Sequence, residues 1–179
     1  MKKISYFILL AIFAIACNSP QTNDAPSGAL EDQVEKQELV FKDFGGEPLV
    51  IDIEDYTLTN ETFRTAIWTG EFMQLTIMSI PVGGEVGLEV HDDIEQFLRV
   101  EEGFAQVLMG DAEDNLDFVQ NAEDDDVILV PAGKWHNIVN IGDFPLKLYS
   151  IYAVPEHEFG TVHLDKAESD ADHEHHHHH

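Results

Sequence analysis

Cations are scarce in this chain. Its 179 residues include nine Lys and Arg against 35 Asp and Glu, a formal charge of −26 with histidine neutral. Phosphate backbones and anionic headgroups are gripped by clustered Lys and Arg, so this balance excludes nucleic acid as a partner and excludes membrane attachment by charge alone. Cysteine is scarcer still. Cys17 is the only one, which rules out a disulfide within the chain. No window supports a long amphipathic helix, and no internal repeat of convincing period is found. The apolar run Ile4 to Ala16, broken only by Ser5, falls short of the roughly 20 residues a membrane-spanning helix needs. Yet 44% of the residues are hydrophobic, too many for a disordered acidic polymer, and the length suffices for one domain with a core.

What is present begins with that short run. Lys2 and Lys3 precede it, and it closes on the small residues Ala14-Ile15-Ala16 before Cys17. A positive start, a short apolar stretch and small residues at its end form a secretory signal. The close resembles the lipobox of bacterial lipoproteins. That resemblance implies a signal peptide over residues 1–16, lipidation of Cys17, and a protein anchored at the bacterial cell envelope on its periplasmic or outer-membrane face. Several acyl chains hold such an anchor without electrostatic help. Residues 17–36, rich in Asn, Ser, Pro, Thr, Asp and Glu, lack periodicity and read as a flexible tether. Residues 166–179 read as a disordered acidic, His-rich tail able to scavenge divalent metal, with no catalytic role. The five closing histidines are either an appended tag or native. The absence of a Leu-Glu vector remnant and the retained signal favour the second.

Residues 37–165 read as a single all-β domain. Leu39 to Phe44 is a short first strand or an arm, and Gly45-Gly46 breaks the chain. From Pro48 onward, "LVIDIEDYTL", "FRTAIWTG", "MQLTIMSIP", "EVGLEVH", "QFLRVEEG", "FAQVLMG", "DVILVPAG", "WHNIVN" and "PLKLYSIYAV" are short β-rich segments divided by Gly, Pro, Asn and Asp turns. Many short strands without helices make a sandwich or a barrel.

Two stretches carry the candidate chemistry. In "GGEVGLEVHDDIEQFLRVEEG", Glu89 and His91 stand two apart and share a strand face, while Leu88 and Val90 take the other. Across the Asp92-Asp93 turn, Gln96 heads a row that continues with apolar Leu98 and Val100. This is either a polar cluster in a barrel mouth or an exposed hairpin with Glu89 and Glu95 solvated. In "DVILVPAGKWHNIVN", the strand Val127 to Val130 leads to Pro131-Ala132-Gly133, then to a second strand bearing His136 and Asn140. Proline preset for the first turn position and glycine free to take positive φ make a turn there.

The spacing P-x-G-x2-H-x3-N, on Pro131, Gly133, His136 and Asn140, resembles the second cupin motif, with Asp125 in place of its leading glycine. The first cupin motif, G-x5-H-x-H-x4-E-x6-G, is matched at Gly83, His91 and Gly103, with Glu89 at its first histidine and Gln96 at its glutamate. The resemblance implies a cupin double-stranded β-helix, a jelly-roll barrel. It also implies one divalent metal (Mn, Fe, Ni or Zn) held by Glu89, His91, Gln96 and His136. Two imidazoles and a carboxylate suit any of these ions, with Gln96 a weak neutral ligand. Glu89 is then a ligand or, swung free, a general base. The expected activity is that of a metal-dependent enzyme on a small oxygenated molecule, a sugar or keto acid, by isomerase, epimerase or dioxygenase chemistry. The alternative is a non-catalytic binding module at the envelope. The same class commonly pairs into homodimers.

The remaining polar and aromatic residues receive quieter roles. Arg99, out of phase with Gln96, is expected to point outward and pair with Glu. Trp135, Tyr149 and Tyr152 are expected in the core or rim. Surface positions are expected for His157 and His163, and solvation for Glu101 and Glu102.

Overall fold

A computed structural model describes residues 38–176. Cys17, the signal peptide and the tether lie outside the described residues. The order of elements is α1 (Ile53–Thr59), β1 (Arg64–Thr69), β2 (Gln74–Ile80), β3 (Glu95–Glu102), β4 (Phe104–Gly110), β5 (Phe118–Glu123), β6 (Val127–Val130), β7 (Trp135–Asn140), β8 (Leu146–Ala153), β9 (Val162–His163) and α2 (Lys166–His176). Two antiparallel sheets result, one ordered β6-β3-β8-β2-β1-β9 and one ordered β5-β4-β7. This is the expected all-β double-stranded β-helix.

Register fixes which side chains face inward. Met78 lies opposite Leu148, and Leu148 opposite Val100. All three belong to the buried cluster between the sheets, joined from the smaller sheet by Ala105, Val107 and Ile138. Each fully buried aliphatic side chain contributes roughly 1.5–3 kcal/mol. The next positions along, Ile77 and Tyr149, face outward, as the period of two requires. There Tyr56, Ile67 and Ile77 form a second cluster, with Leu39, Phe44 and Ile53 packed on it. The larger sheet is thus buried on both faces.

That outer layer corrects one expectation and decides another. "LVIDIEDYTL" contains a helix in place of a strand. Asp52 caps it, accepting from Asp55 N at 3.2 Å, and Glu54 and Asp55 sit in its first turn. A capped, acidic first turn suits the positive end of a helix dipole, and packing of Tyr56 outweighs the modest propensity of Ile and Thr. Residues 39–44 form an arm, docked by Phe44 N donating to Ile67 O at 2.8 Å. A second correction concerns the tail. Residues 166–176 are helical, not disordered. Asp165 Oδ1 accepts from Glu168 N at 3.0 Å, and Glu168 Oε2 accepts from Leu164 N at 2.7 Å. This reciprocal cap starts α2, and its Ser169 is buried.

Candidate metal centre

The two motif stretches meet along β7. Residues 84–91 run beside it through isolated bridges, Glu85 opposite Val139 and Glu89 opposite His136, and do not form the continuous strand expected. Glu89 N donates to His136 O at 3.0 Å, and His136 N returns the bond to Glu89 O at 2.9 Å. An antiparallel pair that exchanges both bonds points its side chains to the same face. That face is the interior, because His136 lies across from Met109 and two places from Ile138.

The motif glycines and proline build the turns that deliver these residues. Lys134 N closes a turn on Pro131 O at 3.2 Å, with Gly133 at φ 75° in its third position, where a left-handed residue is needed. Gly133 N also donates to His91 O at 2.7 Å, tying the two stretches a second time. Gly83 (φ 71°) and Gly103 (φ 106°) turn the chain at the ends of the first motif. Asp125, the substituted glycine, still adopts φ 70°, a region Asp tolerates better than most residues. Asn140 is structural. Its Nδ2 donates to Ile80 O at 3.0 Å and Phe144 O at 2.8 Å, and its Oδ1 accepts from Gly142 N.

Glu89, His91 and His136 converge, their ligating atoms all lying within 4.8 Å of one another. Glu89 Oε1 is 3.4 Å from His91 Nε2 and 3.3 Å from His136 Nε2. The far side of each ring is held. His136 Nδ1 lies 3.0 Å from Lys134 O, and His91 Nδ1 lies 3.5 Å from Glu156 Oε1. A carbonyl beside Nδ1 accepts a hydrogen bond from it, which keeps the proton on Nδ1 and leaves Nε2 as a bare lone pair, the tautomer a metal needs. Gln96, across from Tyr152 and Val130, is buried and donates from Nε2 to Ser150 Oγ at 2.9 Å. Glu89 Oε1, His91 Nε2, Gln96 Oε1 and His136 Nε2 are all buried and none has a properly aligned hydrogen bond. Buried acceptors left in this state are costly unless a cation satisfies them. The donor set therefore fits a divalent metal, with Glu89, His91 and His136 as its core.

The electrostatics agree. Burial pushes the Glu89 carboxyl up, but the imidazoles of His136 and His91, helped by Arg64, hold it well below its ordinary range. Burial presses the His91 imidazole down, yet Glu89 and Glu156 raise it above its usual value. Burial drives the Tyr152 hydroxyl up to about 12, so it stays protonated beside the centre, its ring 6.0 Å from that of His91.

Several residues stand elsewhere than expected. Arg99 does point outward and pairs with Glu101 and Asp125. Glu101, expected in solvent, is buried by that pairing and by a register shift between Val100 and Glu102. His163 is buried on the inner face opposite Arg64, not on the surface. Sequence reasoning also passed over Glu156, which anchors His91, and Asn137. The latter donates to Glu85 Oε2 at 2.8 Å and accepts from Gly87 N at 3.1 Å, so it holds the segment carrying Glu89. Neither matches a motif position, and only tertiary contact reveals them.

Comparison with known proteins agrees with this architecture. The "Cupin domain" family matches residues 76–152. The uncharacterized protein YrkC of Bacillus subtilis (strain 168) is 51% identical over 142 residues, covering 79% of this chain and 76% of YrkC. A crystal structure of BH2720 from Bacillus halodurans superposes with a TM-score of 0.72 at 55% identity, over 73% of this chain and 98% of that one. A Klebsiella pneumoniae protein with a double-stranded β-helix domain shares the fold at 18% identity and a TM-score of 0.50, over 66% of this chain and 100% of its own. Motif, topology and relatives converge, and the chain belongs to the cupin superfamily.

Proposed function

We propose that this cupin binds one divalent metal through Glu89, His91, Gln96 and His136 and acts as a metal-dependent enzyme on a small oxygenated molecule, a sugar or keto acid. The observation that carries this reading is the convergence of Glu89, His91 and His136, whose ligating atoms lie within 4.8 Å of one another, buried and unsatisfied. A bound divalent ion supplies Lewis acidity there. Glu89, held ionised, is the base available to move a proton, and Tyr152, held protonated, is a donor for a ligand oxygen. Isomerase, epimerase or dioxygenase chemistry suits such a site. The cupin fold by itself does not choose among them.

Cys17 and the residues before it support export and a lipid anchor, which places the reaction at the cell envelope. Metal analysis on residues 18–172, which keeps Ser169 against Arg64 and drops the tail histidines, tests the centre when purified without a nickel column. About one equivalent of Mn, Fe, Ni or Zn is expected, and His136→Ala should lose it with the fold intact. A wild type that takes up no metal under any loading defeats the reading. Stoichiometric metal with no turnover across aldoses, keto acids and oxygen-dependent assays would make it a binding module instead.

A further inference from the structure

We propose that Arg64 recognises an anion inside the barrel, and that the ligand of the metal centre is a small carboxylate such as a keto acid, not a neutral sugar. This rests on the metal reading for the ligand's other end. Arg64 begins β1 and is only 1% exposed. It lies opposite Met78, itself in the inner cluster, so its side chain enters the barrel. A guanidinium keeps its charge in proteins and offers five donors. Here Nη1 donates to Ser169 Oγ at 2.7 Å, the Phe63 ring lies 5.6 Å away, and Nε is buried without a partner. Among the described residues, no carboxylate lies within 4.0 Å of this guanidinium, whereas surface Arg99 has two. A buried cation lacking a counterion is costly unless a ligand supplies one.

The missing anion belongs between Arg64 and the metal centre. Thr76, two residues along β2 from Arg64's partner Met78 and on the same face, has a buried hydroxyl without a partner, and it lies across from Ser150, which accepts from Gln96. The charge of Arg64 is felt at Glu89 and His91. With a divalent ion bound, an anion between it and Arg64 would meet positive charge at both ends. Glu89, Glu156 and, beside His163, Asp172 already bring negative charge to this region, so a monocarboxylate meets less repulsion than a phosphate dianion. The planar fork of arginine also matches a carboxylate in two parallel hydrogen bonds.

Pyruvate serves as the probe, with pyruvamide as its neutral counterpart and inorganic phosphate as the competing anion. Calorimetry on manganese-loaded protein should show pyruvate binding, with pyruvamide and phosphate weaker. Arg64→Met should lose about 10- to 100-fold in pyruvate affinity, the range of a charge-assisted hydrogen bond, while manganese affinity holds. Its melting temperature should match or exceed the wild type, because a buried charge without a counterion has been removed. Arg64→Lys, which keeps the charge and loses the fork, should fall between. Equal pyruvate affinity in Arg64→Met, equal binding of pyruvamide, or preference for phosphate overturns the proposal. So does failure of both variants to fold, which would make Arg64 structural. If manganese does not bind at all, the metal reading fails separately. Pyruvate must then still raise the melting temperature of the wild type and not of Arg64→Met, or the Arg64 proposal falls too.

Discussion

Residues 125–140 and residues 83–91 both supply the centre, yet they are built differently. The first is regular: strand, turn, strand, with His136 locked in the β4–β7 ladder. The second is irregular and leans on the first through two isolated bridges. Ligands on a ladder are positioned by many shared hydrogen bonds. Those on the leaning segment depend on a few backbone bonds to the first stretch and on side-chain props, among them Asn137 and Glu156. The regular stretch is also where the motif keeps its ligand, His136, although Asp125 replaces its leading glycine. Of the two ligand positions that have changed identity, Glu89 lies in the irregular stretch and Gln96 on β3. A segment positioned by local props accommodates a longer carboxylate reach more readily than one fixed in a ladder.

The sharpest way to break this contrast is to remove one ligand from each side. His136→Ala and His91→Ala should each reduce metal affinity beyond the roughly 100-fold cost of losing a supporting partner. Metal titration with circular dichroism as a fold control checks both. A step lower come the props. Asn137→Ala and Glu156→Gln should cost about 10- to 100-fold in metal affinity with only a small change in melting temperature, measured by competition against a chelator.

Proton competition provides the next test. In metal-free protein the raised His91 favours the charged imidazole, so its contribution to stability is present below pH 6.5 and is lost as pH rises through its higher folded value. The depressed Glu89 contributes above its ordinary 4.5 and is lost only as pH falls through its lower folded value. Metal needs neutral His91, so metal affinity should rise across the same range in which metal-free stability falls. Melting curves with and without metal, taken from pH 5 to 9, should therefore diverge with increasing pH. Parallel curves would mean that His91 is not a ligand. The smallest effect is expected at the turn. Gly133→Ala meets no atom within 4 Å but must take φ 75°, costing about 1 kcal/mol by denaturant titration.

The fold and most of the centre were legible because both obey short periods. Alternation placed Leu98 and Val100 on one face with Gln96, where all three are buried, and motif spacing paired His91 with His136. What escaped lacked such a signal. In β5, five of six residues are exposed, so no alternation marks it as a strand. The α1 segment is rich in residues that also suit strands, and only its docking onto Ile67 and Ile77 settles the matter. Arg64 and His163 face each other across a two-residue pairing at the sheet edge, about 100 positions apart in the chain, and nothing local announces that either is buried.

The direct backbone pairing of Glu89 with His136 constrains how such a chain can diverge. Because successive residues of an extended segment alternate faces, an insertion of one residue between Glu85 and Glu89 would turn the carboxylate outward and bring Leu88 or its neighbour against the imidazole. Side-chain identity along this stretch is free to drift while the residue count from the Glu85 bridge is not, so a descendant could exchange its ion more easily than it could change the length of that segment.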